Sequence, residues 1–156
     1  MKFVISLLAA FVLIVAGVPA LKVNAQDISN SPSSHPFGTL SEGSTAETGL
    51  TKFTITNNSA FSVNITISGT DMNGGGVTWE LSDTATPDTD RYGLMAGLEG
   101  ESYNITVRKT SPFNTLVSEL KESGGTQKWG LKLLAPTEFT DGALKSGTVT
   151  LTATQP

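Results

Sequence analysis

The chain has 156 residues, no cysteine, one histidine, and fourteen acidic residues against ten basic ones. Without a thiol there is no disulfide, thiolate metal site, cysteine nucleophile or lipidated N-terminal cysteine. Without a basic surplus the electrostatic footprint of a nucleic-acid binder is missing; Lys128 and Lys132 share one strand face but stand alone.

Met1-Lys2, the apolar run Phe3 to Val18, Pro19 and the small-residue exit Val23-Asn24-Ala25 have the layout of a secretory signal helix, with cleavage expected after Ala25. The alternative is an uncleaved anchor, because the run approaches the roughly 20 apolar residues that a span needs. Nothing later is apolar enough to cross a bilayer as a helix. Residues 1–25 are therefore assigned to a signal peptide, and the expected location is extracytoplasmic, secreted or on the cell surface. The remaining chain, Gln26 to Pro156, has 131 residues with eight basic and fourteen acidic side chains, a net charge of −6. That length suits one domain able to bury a core without disulfides.

Residues 26–36 are Ser-, Asn-, Pro- and Asp-rich and offer little to bury, so a flexible lead segment is expected, with the domain spanning 37–156. Phe37 to Leu40 reads as a short first strand turning at Gly43. Thr51 to Thr56 and Phe61 to Ser68 alternate apolar and polar residues, the period-2 signature of a half-buried strand, and Asn57-Asn58-Ser59 between them reads as a hairpin turn. Thr70 to Gly76 is a loop, and Val77 to Ser82 is a strand with Val77, Trp79 and Leu81 inward. Ser82 to Asp90 is an acidic loop. Arg91 to Glu99 is broken by glycines and reads as a loop with at most a short edge strand. Ser102 to Lys109 presents Tyr103, Ile105 and Val107 as an inward row. Thr115 to Glu122, with Leu116 and Leu120 four apart, reads as a connecting turn stopped by Gly124-Gly125. Lys128 to Leu133 and Thr148 to Thr154 complete the set.

Seven such strands, each with one greasy side, predict an all-β, immunoglobulin-like antiparallel β-sandwich behind the signal helix. They are too few and too short for a membrane barrel, which starts at about eight strands. Trp79 and Trp129 read as core anchors, one per sheet.

The order Phe37-Gly38-x-Leu40-x-x-Gly43, Phe53-x-Ile55-x-Asn57-Asn58, Val63-x-Ile65, then Ala135-Pro136 before Gly147 to Leu151, resembles the immunoglobulin-like repeats of bacterial and archaeal surface proteins, the ASH and choice-of-anchor group in particular. The resemblance spans Phe37 to Thr154. It implies a modular extracellular scaffold or adhesin fold and no catalytic residue. Trp79-Glu80-Leu81 and Trp129-Gly130-Leu131 also resemble the W-x-L motifs of cell-wall-binding surface domains. In that family the second motif lies almost at the C-terminus, whereas here a further strand follows Trp129.

Candidate chemistry is sparse. His35 sits in the lead segment, where nothing would hold a general base against a target. Asp83, Asp88, Asp90 and the Asp71/Asn73 pair are loop oxygens of the kind calcium uses, but their spacing matches no calcium loop. Paired carboxylates for a glycosidase cannot be placed across a cleft from sequence. Asn57, Asn64 and Asn104 each begin an Asn-x-Ser/Thr sequon: Asn57 in a turn, Asn64 and Asn104 on the wet side of strands, all three expected to be reachable by a glycosylation enzyme. These readings predict no enzyme, cofactor or metal. They predict a secreted structural or adhesive component that contacts other surface or matrix proteins or copies of itself. One form of it is a filament subunit accepting its neighbour's lead segment as an added strand. A carbohydrate- or cell-wall-binding module is the alternative, and it would need exposed aromatic rings among Trp79, Tyr92, Trp129, Phe113 and Phe139.

Overall fold

A computed structural model describes residues 26–156. It is all-β: two sheets face each other across one hydrophobic core, and the signal helix assigned to 1–25 lies outside the described residues. The strands are β1 (Ile28–Ser31), β2 (Thr45–Glu47), β3 (Phe53–Asn57), β4 (Val63–Gly69), β5 (Glu80–Leu81), β6 (Arg91–Leu98), β7 (Ile105–Thr106), β8 (Asn114–Leu120), β9 (Gly125–Leu134) and β10 (Val149–Thr154). The larger sheet runs β1-β3-β9-β6-β5, with β2 on β9 and β7 on β6; the smaller is β10-β4-β8. All pairs are antiparallel except β5 with β6. Among the described residues no helix is long and apolar enough to cross a membrane.

Period-2 patterning builds the core. Along β4, Val63, Ile65 and Ile67 are fully buried while Asn64, Thr66 and Ser68 point outward. They face Phe53 and Ile55 of β3, Leu94 and Ala96 of β6, and Trp129, Leu131 and Leu133 of β9, the other members of the same apolar cluster. Phe53 and Trp129 stand directly opposite in the β3–β9 pair, ring centroids 4.8 Å apart.

Several expectations are corrected. The lead segment contains a sheet strand: β1 pairs with β3 from Ile28↔Asn57 to Ser31↔Thr54, and Asn30 Oδ1 accepts a 2.9 Å hydrogen bond from the Trp129 indole. Its polar side chains concealed a strand held by backbone bonds and one buried contact. Phe37 to Leu40 is not a strand, although Phe37 and Leu40 pack on the core as loop residues. Among the described residues there are ten strands where about seven were expected, because short pieces β1, β2, β5 and β7 share the long neighbours β3, β9 and β6.

The expected hairpin at Asn57-Asn58-Ser59 is instead an arch between sheets, since β3 and β4 have no pairing with each other. Both strands bury their apolar row, so the chain crosses the core. Arg91 to Leu98 is a central strand flanked by β9, β5 and β7. Its glycines sit where backbone closes in: a Cβ on Gly93 would meet Ala85 O at 2.6 Å, and one on Gly97 would meet Ser102 O at 2.5 Å. Thr115 to Glu122 is mostly strand β8, not a turn. Two register shifts against β4, and a positive φ of 51° at Glu119, explain why Leu116, Val117 and Leu120 are all buried against the two-residue rhythm. Finally, the tryptophans do not divide between sheets. Trp129 lies in β9, and Trp79 immediately precedes β5 of the same sheet, where it bridges Met72.

Candidate functional site: a groove at the open side of the sandwich

Three strands cannot cover a sheet whose main path has five. At about 4.8 Å per strand the smaller sheet falls short by about 10 Å in width. The uncovered strip is a groove of about 1230 Å³. Its floor is the inner face of the larger sheet, including Phe53, Leu94, Trp129 and Leu131. One lip is the chain from Ile28 to Leu40; the other is Gly142 to Thr148 with Val149 and Leu151 of β10. The lip residues Phe37, Leu40, Val149 and Leu151 are half-buried, and Leu144 is 92% exposed.

A clasp stabilises one end. The Lys145 ammonium, whose side chain is 4% exposed, reaches Gly74 O at 2.6 Å, Asp141 Oδ1 at 2.6 Å and Val77 O. Asp141 Oδ2 accepts the Gly76 and Val77 N–H groups at 3.0 and 2.8 Å, so the three-glycine loop is locked onto the Asp141-Gly142 bend. The Lys145 hydrogen bond, with the backbone N–H groups of Ala143 and Val77, lowers the Asp141 pKa to about 2. The same ammonium lies 5.9 Å from the Trp79 ring, which stacks on Phe139 at 4.7 Å. This lysine is fully engaged and has no free position for chemistry.

The candidate residues from the sequence are scattered, not convergent. His35 lies half-buried on the groove lip, edge-on to Phe37 and Phe53 at 5.2 and 6.4 Å. Burial, then the charge of Lys52, lowers its pKa. Each loop carboxylate serves its own neighbourhood. Asp71 accepts from Leu81 N and Lys109 Nζ, at 2.7 and 3.1 Å. Asp83 accepts from Lys109 N and the Thr110 hydroxyl, and the latter bond is the main cause of its lowered pKa. Asp90 accepts from Thr140 N and Oγ1 at 3.0 and 2.6 Å. Among the described residues no three such groups gather around a metal-sized position.

The sequons separate by burial. Asn104 is exposed. Asn64 is half-exposed, its Oδ1 accepting the Glu119 N–H at 2.9 Å. Asn57 is 0% exposed, which corrects the expectation that it is reachable. Its Nδ2 donates to Phe61 O, Leu120 O and Lys121 O at 2.9, 3.0 and 3.0 Å, while its Oδ1 accepts the Ser59 N–H at 2.9 Å. Two crossings between the sheets, β3 to β4 and β8 to β9, meet at this one side chain. A short polar residue at the end of an apolar row was the available signal for such a corner.

Aromatic rings are consumed inside. Trp79, Trp129 and Tyr92 are 6%, 2% and 1% exposed, and the Tyr92 hydroxyl donates to Thr70 O at 2.6 Å. Burial, then the Asp71 charge, raises the Tyr92 pKa. Phe139 is stacked on Trp79, and among the described residues Phe113 is the one exposed aromatic ring, at 41%. Compared with known proteins, the chain matches no family model, no curated protein and no solved structure.

Proposed function

We propose that the chain is a secreted, non-enzymatic structural or adhesive domain of a cell surface or extracellular matrix, working through protein contacts made with other surface proteins or with copies of itself. The observation that carries this reading is the mainly apolar groove bordered by an uncharged outer strand, in a chain whose loop carboxylates Asp71, Asp83 and Asp90 are engaged in local contacts. Such a groove suits a polypeptide, whose backbone can extend a sheet while alternate side chains fill the space beneath. The signal-like first 25 residues supply the address. The resemblance to immunoglobulin-like surface repeats agrees with this role.

Carbohydrate binding by ring stacking is less well supported, since the aromatic faces that would stack on sugars are packed against core residues or each other. Cell fractionation with mass-spectrometric mapping of the N-terminus tests the reading. The expected result is protein outside the cytoplasm, starting at Gln26, that is not retained by insoluble polysaccharides. Full-length protein confined to the cytoplasm, or firm retention on a polysaccharide, would overturn it.

A further inference from the structure

Fourteen carboxylate side chains are spread over the chain, yet none of them lines the groove. The two basic side chains that do are Lys145 and His35. Lys145 is neutralised by Asp141 in the clasp, so it offers nothing to a ligand. His35 is different. Its half-buried ring rests against Phe37 and Phe53, and its nitrogens make no hydrogen bond to another described residue. Lys52, the residue before Phe53, is exposed, has no ion-pair partner among the described residues, and lies close enough for its charge to act on the imidazole. One stretch of the lip is thus basic in a chain whose net charge from Gln26 onward is −6.

The floor behind His35 is hydrocarbon and aromatic surface. It runs from the Phe53–Trp129 pair, past Leu94 and Leu131, to the Trp79–Phe139 stack. The strands beneath, β3, β9 and β6, spend their backbone N–H and C=O groups on one another, so the floor has no backbone bonds to give. Whatever lies on the floor itself must therefore be apolar along its length. The volume of about 1230 Å³ exceeds the roughly 300–1,000 Å³ of ordinary small-molecule pockets, which leaves room for a long chain.

We propose that the groove binds a long-chain fatty acid, with its hydrocarbon tail along the floor and its carboxylate at His35 on the lip, within the field of Lys52. Three features match one such molecule. The apolar floor buries methylene groups, the imidazole N–H donates a charge-assisted hydrogen bond to the carboxylate, and a lining without acidic side chains does not repel it. In the free protein, burial and then the Lys52 charge hold the His35 pKa below its ordinary value. A carboxylate beside the ring favours the imidazolium, so binding of the acid raises that pKa. The site goes beyond the surface role. A partner's side chains and the acid are alternative occupants of one space, so binding of the acid is measured on the isolated protein.

Tryptophan fluorescence is followed while the purified protein is titrated with stearic acid carrying a mid-chain nitroxide, below its micelle concentration. Saturable quenching is expected, since Trp129 and Trp79 line the groove. The methyl ester has the same tail without the charge and should bind about tenfold more weakly. His35→Ala should weaken the acid by about tenfold and Lys52→Gln, a screened surface charge, by about threefold, both leaving the ester unchanged. Circular dichroism of each variant checks the fold. The chain has one histidine, so its NMR titration is read directly: the acid should raise its pKa and the ester should not. Absence of saturable quenching, equal affinity for acid and ester, or acid binding indifferent to both variants would overturn the proposal. Retention of the protein on phosphatidylcholine vesicles, whose chains are esterified, would overturn it in favour of a membrane surface. N-terminal mapping is read separately on the same material, so extracytoplasmic protein that takes up no acid sinks the lipid site alone. Cytoplasmic protein that does bind the acid sinks the surface role alone.

Discussion

Replacing Asn57 should cost a large part of the domain's stability. Its carboxamide has two N–H groups shared among three carbonyls and one oxygen that accepts Ser59 N–H. Asn57→Ala removes about three hydrogen bonds, each worth about 1 kcal/mol net, and orphans buried partners at about 1 to 3 kcal/mol for a poorly solvated group. A loss of about 3 to 5 kcal/mol follows, a large fraction of the roughly 5 to 15 kcal/mol that holds a domain folded. Asn57→Asp keeps the shape but turns donors into acceptors. A buried carboxylate facing three carbonyls has its pKa pushed up. The folded state then holds a proton that the unfolded state releases, so the variant's stability is fully present below the unfolded value of about 4 and is lost as pH rises through the folded value. Urea unfolding followed by tryptophan fluorescence at pH 7 and near pH 4 measures both effects. An Asn57→Ala loss under about 1 kcal/mol, or an Asn57→Asp loss independent of pH, would refute the assignment of this side chain as the tie between the crossings.

Gly97→Ala drives a Cβ to 2.5 Å from Ser102 O and should cost about 1 to 3 kcal/mol by urea unfolding, whereas Gly142→Ala, with nothing within 4 Å, should stay within about 0.5 kcal/mol of the parent. Asn30→Ala strands the buried Trp129 N–H; a loss of about 1 to 2 kcal/mol is expected, with faster amide exchange in β1, and unchanged exchange there would contradict the role of this contact. The Asp141 pKa is depressed, so its contribution is present above the unfolded value of 3.8 and lost as pH falls through about 2. As pH falls through about 2 the clasp should open, moving Lys145 from Trp79 and changing its fluorescence, and Asp141→Asn should abolish that transition.

The regular half of the fold was legible because each of those strands has one dry and one wet face. β4 and the inward row of β9 stand where their alternation put them. β6 failed that logic because loops cover its outer side, leaving Tyr92, Gly93, Leu94, Ala96 and Gly97 buried together. Its glycines, read as breaks, are the clearance that lets those loops approach. β8 failed because its bulges reset the parity twice. β1 failed for the opposite reason: backbone pairing leaves no trace in hydropathy, and Asn30 gives no sign that an indole 99 residues away will use it. The groove was illegible altogether, since it depends on how many strands fall in each sheet.

That partition also explains why the groove lies beside β10 and not elsewhere. Two chain crossings tied by Asn57 fix β4 and β8 in the smaller sheet, and the β8–β9 turn closes back over the same corner through Gly124 N to Asn57 O. Among the described residues the smaller sheet has one further strand, β10, and none pairs with its outer side across the uncovered strip. The segment from Phe37 to Leu40, which reads as a strand in the sequence, lines the opposite lip as a loop and leaves the strip open. The outer edge of β10 and the groove beside it are therefore one feature: a sandwich whose smaller sheet stops short of the lip formed by the chain from Ile28 to Leu40.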